Sequence, residues 1–140
     1  MKLLVEKVLA YFEGQQENLQ IVLTADLQEN IYIEANTTLL DVLLMNLIKN
    51  AFFHNVKSGF IIIKASPNSL EIQNSSNSGE IPREKLFQRF SKLSTNNESW
   101  GLGLAIAKKI CDLNGWALMY SSREKVHTFS VQFSGITNPL

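Results

Sequence analysis

Asn46, Asn50 and His54 recur at four-residue intervals in "NLIKNAFFHN" (residues 46–55), a run otherwise rich in Leu, Ile and Phe. On a helix each residue turns about 100°, so this spacing keeps side chains on nearly one face. With Asn46 at zero, Leu40, Leu44, Leu47, Ile48 and Ala51 fall at roughly 100–200°, Asn50 near 40° and His54 near 80°. The three polar residues form a rail along the margin of an apolar stripe. Two uses fit such a rail. Polar groups at a buried edge are usually satisfied by neighbouring loops. An amide oxygen is also a hard donor suited to Mg²⁺, which takes one or two protein ligands beside substrate phosphates.

Three further stretches carry residue types with chemical uses. In "SWGLGLAIAKK", Gly101 and Gly103 alternate with Leu102 and Leu104 at the mouth of a helical pattern. Glycine there lets a phosphate chain approach the backbone N–H groups at a helix start, and it equally allows close helix packing. "LEIQNSSNSGE" ends a strand-like run on Asn74 and adds a turn at Asn77–Gly79. An amide offers one acceptor and two donors, enough to read a purine edge. "LFQRFSKL" sets Phe87 and Phe90 three residues apart, best read as core anchors, with Lys92 a candidate phosphate contact at the base of a polar stretch.

These residues need elements to position them. Leu4, Val8 and Phe12 predict an amphipathic helix over 3–18, weakest at Gly14. The runs 19–25 and 31–35 predict two strands. Asn36-Thr37-Thr38 supplies caps for a helix reaching to about His54. "GFIIIKA" and "SLEIQNS" predict a hairpin around Pro67-Asn68. Pro82 opens a short helix, residues 91–101 read as a lid-like loop, and 102–115 is a helix stopping on Gly115. "WALMYSS" and "HTFSVQF" close the chain as a second hairpin. Strand pairs interleaved with helices predict a two-layer α/β (α+β) sandwich, a mixed sheet with helices on one face.

Composition narrows the function classes. The 140 residues suit one domain. Lys+Arg and Asp+Glu number 13 each, so no net field argues for nucleic acid or an anionic membrane. No apolar run approaches the ~20 residues of a spanning helix, and the opening lacks a signal-peptide cleavage site. The single cysteine, Cys111, reads as an inert buried thiol in a reducing compartment.

In order and spacing, "NLIKNAFFHN", "NSSNSGE", "LFQRF" and "GLGLAIAKKIC" resemble the N, G1, F and G2 boxes of one family. It is the catalytic ATP-binding domain of bacterial sensor histidine kinases, in wording closest to the Bacteroidetes type, within the GHKL superfamily shared with gyrase and MutL. The resemblance covers nearly the whole chain and implies the ATP-binding fold of that superfamily. It also implies ATP and Mg²⁺ as ligands, Asn50 as the metal ligand and Asn46 as its neighbour on the nucleotide face. Asn46, Asn50, His54, Asn74, Asn77, Gly79, Lys92, Gly101, Leu102, Gly103 and Leu104 are then the nucleotide-binding candidates. Asn74 or Asn77 stands in for the G1 aspartate that receives the adenine amino group, with Asn74 favoured by the strand pattern. Residues 91–103 would be the lid.

The sequence departs from the pattern in three places: the G1 aspartate is an asparagine, a commonly basic N-box position is Phe53, and Trp100 precedes the first G2 glycine. The departures predict weaker nucleotide binding than in a consensus domain. Asn46 stands where the hydrolytic branch carries a glutamate base, and an amide is no base near neutral pH. Neither histidine, His54 nor His127, lies in a phosphoacceptor motif. The resemblance therefore implies that residues 1–140 form one catalytic domain, the phosphoacceptor and sensor domains being absent. The γ-phosphoryl would go to a histidine on a separate dimerisation domain of the same sensor kinase, with a response regulator downstream. Its implied place is the cytoplasm, as part of a membrane-bound sensor, without direct membrane contact. The competing expectations are a degenerate domain kept for regulation or docking, and an anti-sigma-type serine kinase.

Overall fold

The computed structural model describes residues 1–82, Leu86 and 102–133. The long central helix, α3 (Thr37–Phe53), starts where the Asn36 Oδ1 accepts from the Leu39 N–H at 3.0 Å, a side-chain cap on an otherwise orphaned donor. Its apolar stripe buries Leu40, Leu43, Leu44, Leu47, Ile48, Ala51 and Phe52. His54 ends the helix, as the sequence predicts.

Two amino-terminal helices lie against it, α1 (Lys2–Ala10) and α2 (Glu13–Leu19). The sequence predicts one helix here with a weak point at Gly14; the break instead falls at Tyr11-Phe12, and Gly14 is helical. The reason is tertiary. Phe12 turns inward and stacks on Phe52, ring centroids 5.0 Å apart and nearly parallel.

Five strands form one mixed sheet: β1 (Val22–Leu27), β2 (Phe60–Ala65), β3 (Ser69–Ser75), β4 (Ala117–Arg123) and β5 (Val126–Gln132). Their order is β1-β2-β3-β5-β4. β1 and β2 are parallel, joined by a crossover containing α3, and the other pairs are antiparallel. The last helix, α4 (Leu102–Asn114), packs on α3 and on β4, while α3 also packs on α1 and β3. The core lies between this helical layer and the inward row of Ile61, Ile63, Leu70, Ile72, Phe129 and Val131. The predicted two-layer sandwich is the observed fold.

The strand predicted over 31–35 is absent: the segment runs from Asn30, at φ 57°, to the Asn36 cap without ladder pairing. Ile31 is nonetheless buried, so its apolar residues serve as core anchors and not as a strand face. Both hairpins form as predicted, the second through Glu124 and Lys125 at positive φ. α4 stops on Gly115 at φ 71°, where the Trp116 N–H reaches back to the Cys111 carbonyl at 2.8 Å. The Cys111 thiol is buried, and burial pushes its pKa up to about 12, which leaves it a packed, unreactive side chain. The predicted Phe87/Phe90 helix and the 91–101 loop lie outside the described residues.

Candidate functional site

The four polar side chains at the end of α3 take different parts. Asn55 is fully engaged. Its Nδ2 donates to the Ala51 and Phe60 carbonyls at 3.1 and 3.0 Å, and its Oδ1 accepts from Ser75 Oγ at 2.6 Å and Val56 N at 2.8 Å. It fastens the helix end to β2 and β3. Gly59 belongs to the same knot, because a Cβ there would run into Asn55 Oδ1 and Ser75 Oγ.

Asn46 lies one margin of α3 against α4. Its Nδ2 donates to the Val42 carbonyl at 2.9 Å. A Cβ on Gly103 would sit 3.0 Å from Asn46 Oδ1, so glycine lets the first turn of α4 close onto that amide. Changing Gly103 to Ala should displace the Asn46 amide and lower affinity for the site's ligand a few-fold. Folding stability should change by less than about 1 kcal/mol, since alanine is the better helix former. Thermal melts alongside ligand titration check both halves.

Asn50 is different again. It is 3% exposed, and its Oδ1 has no hydrogen-bond partner among the described residues. A buried carbonyl left unpaired costs about 1–3 kcal/mol, which makes Asn50 a candidate for contact with a ligand.

Asn74 repeats that pattern on the sheet. It is 1% exposed, its Nδ2 donates to the Ser75 carbonyl at 2.9 Å, and its Oδ1 is unpartnered among the described residues. Asn77 and Gly79 are exposed, and nothing crowds Gly79.

A residue that sequence reasoning passed over organises this corner. His127, 0% exposed, lies opposite Asn74 in the β3–β5 register. Its Nε2 is 3.1 Å from both the Ser78 and the Gly79 carbonyl oxygens. Carbonyls only accept, so Nε2 carries the hydrogen and clasps the 76–79 turn. Tyr120 adds a second clasp, its hydroxyl accepting from the Ile81 N–H at 3.0 Å, with its ring edge-on to the imidazole. The sequence signal was there: alternation through "HTFSV" sets His127, Phe129 and Val131 on one inward face.

His54 lies half-buried near His127. Burial, reinforced by repulsion from His127, lowers its pKa from 6.5 to about 4. Below about pH 6.5 the unfolded chain takes up a proton at His54 that the folded chain refuses until about pH 4. Stability should therefore fall as pH drops through that window and be fully recovered above it. A His54→Gln protein should show a shallower decline in thermal midpoint between pH 7 and 4.5.

Leu104 is wholly buried in the core, so residue 104 meets any ligand only through its backbone. Lys92, Gly101 and the Leu102 side chain lie outside the described residues. No group of three or more His, Cys, Asp or Glu side chains able to hold a metal occurs among the described residues. A cation here would need ligands beyond the side chains of the described residues. The site thus combines two buried, open amide oxygens with the opening turn of a helix, whose first N–H groups have no intrahelical partner.

Comparison with known proteins identifies the family and the fold. The family model described as "Histidine kinase-, DNA gyrase B-, and HSP90-like ATPase" matches residues 35–135. Among curated relatives, the heme sensor protein HssS of Staphylococcus epidermidis is 33% identical over 126 residues, covering 87% of this chain and 28% of that protein. HssS of Staphylococcus saprophyticus is 28% identical, covering 95% of this chain and 30% of that protein. The chain spans less than a third of the curated relatives it matches. Among solved structures, the nucleotide-free catalytic domain of histidine kinase ThkA superposes with a TM-score of 0.74 at 27% identity, covering 94% of this chain and 90% of that one.

Proposed function

The chain belongs to the histidine kinase-, DNA gyrase B- and HSP90-like ATPase family, and we propose that it is the catalytic domain of a sensor histidine kinase. In this reading it binds Mg·ATP and passes the γ-phosphoryl group to a histidine on a separate dimerisation domain of the same kinase. The bond from the γ-phosphorus to the ADP oxygen breaks as a bond to the acceptor imidazole nitrogen forms. A response regulator acts downstream, and the parent protein is a membrane-bound sensor with this domain on the cytoplasmic side. No described helix is long and apolar enough to cross a membrane.

The observation that carries the reading is the pair of buried oxygens, Asn50 Oδ1 and Asn74 Oδ1, that have no hydrogen-bond partner among the described residues. Asn50 offers a hard oxygen donor that suits Mg²⁺ shared with phosphate oxygens. When bound, the ion neutralises phosphate charge. Asn74 presents an acceptor for the adenine amino group, and His127 and Tyr120 hold the adjoining turn still. The first turn of α4 directs backbone N–H groups at phosphate oxygens. Asn46 lies close against Gly103 in that turn. The Asn46 amide cannot take a proton from water, which favours transfer to an acceptor over hydrolysis.

Calorimetric titration with Mg·ATP, Mg·ADP and ATP in EDTA tests this. Binding that weakens when the metal is removed is expected. A folded protein that gives no response at millimolar nucleotide would refute the proposal and leave a fold retained for docking.

A further inference from the structure

Three observations about α3 bear on how a polyphosphate would be neutralised. Phe53 is a large apolar side chain left 48% exposed, seven residues after Asn46 and three after Asn50. Helical geometry puts it within roughly 20° of Asn46, on the site side of the helix and away from the apolar stripe. Directly over its ring, 5.3 Å from the centroid, lies the ammonium of Lys49. Lys49 is exposed and takes part in none of the ion pairs among the described residues, which join Lys2 to Glu29, Lys7 to Asp41 and Lys108 to Asp112.

We propose that Lys49, steered by the face of Phe53, supplies the cation of the phosphate subsite. This rests on the nucleotide reading above and adds a residue to it. A flexible four-carbon stem ordinarily spreads its charge over many positions. The ring restricts it, because the negative face of an aromatic attracts a cation within about 6 Å of its centroid. The ammonium is thereby held over a ring that helical geometry places within roughly 20° of Asn46. Asn46 in turn abuts Gly103 in the first turn of α4. A polyphosphate placed between Asn50 and that turn meets Lys49 as a positive charge at its margin. The inference assigns Phe53 a positioning role: it touches no phosphate and acts through Lys49.

The test compares ATP with adenosine, both measured by calorimetry or by displacement of a fluorescent nucleotide. Lys49→Gln should weaken ATP binding about fivefold, the upper end for an exposed charge pair, and leave adenosine binding unchanged. The loss should shrink as salt is raised, because the contact is at the surface. Lys49→Arg should retain ATP affinity. Phe53→Leu should weaken ATP binding about twofold, within the range of an exposed cation–π contact, and should add nothing in the Lys49→Gln background. The thermal midpoint should shift only slightly in Lys49→Gln, since the side chain is exposed and loses one surface contact with the Phe53 ring. An unchanged ratio of ATP to adenosine affinity in Lys49→Gln would overturn the inference. Failure of the unaltered protein to bind either ligand would instead overturn the nucleotide reading.

Discussion

Asn50→Ala should abolish Mg-dependent ATP binding while leaving the thermal midpoint of the ligand-free protein nearly unchanged. The two halves come from one atom. Asn50 Oδ1 is buried and has no partner among the described residues, so removing it breaks no hydrogen bond to them and relieves the cost of keeping it dry. A small cavity opposes that relief, and the two are similar in size, on the order of 1–3 kcal/mol each. Binding has no such compensation. Loss of a residue one shell away from a metal typically costs 10–100-fold in affinity, so loss of the ligand itself should reach at least about 100-fold. Calorimetry with Mg·ATP and a melt in the absence of nucleotide suffice. A large fall in the apo midpoint with binding intact would make Asn50 a structural residue.

The second large effect is expected at Asn74. Asn74→Leu keeps the volume and burial and deletes the acceptor, which should weaken ATP binding about 10–100-fold, the range for a buried donor left unpaired. Asn77→Leu, at an exposed position, should leave binding where it was. Asn74→Asp should act in the opposite direction on affinity, because a charged acceptor makes a bond roughly twice as strong. It should also lower the apo thermal midpoint. The present Nδ2 donates to the Ser75 carbonyl at 2.9 Å, and a carboxylate oxygen would face that carbonyl with no hydrogen between them. Affinity up and stability down in one protein is a combination that a general unfolding effect cannot mimic. If Asn77→Leu shows the loss instead, the adenine contact lies in the turn.

The second result depends on how the turn after β3 is held, and the sequence shows that only in part. Alternation along "LEIQN" puts Leu70, Ile72 and Asn74 on one parity, and all three are buried. Period-two patterning in the sequence therefore favours Asn74 over Asn77. The same rule misread residues 31–35. Alternating apolar residues report which side chains are buried, and an unpaired extended segment anchored by Ile31 writes the same pattern as a strand. Local propensity likewise pointed to Gly14 as the weak point of the first helix. The break follows Phe12, whose stacking partner Phe52 is distant in the chain.

By itself the sequence determined the elements whose signals are local. Asn36 caps α3, the 3.6-residue period writes its buried stripe, Gly115 stops α4, and paired strand runs with turn residues make two hairpins. It also determined the family, through four short stretches in a set order. What only the tertiary structure decided is which of several identical amides is committed and which is open. Asn50 and Asn55 are the same residue type five positions apart. Asn55 meets Ser75 and Phe60 and is saturated, whereas Asn50 Oδ1 meets no partner among the described residues. His127 holds carbonyls 48 and 49 positions away, and the ring of Phe53 holds a lysine ammonium. Hydrogen-bond satisfaction is a property of neighbours in space, and chain spacing cannot report it once the neighbours come from another strand.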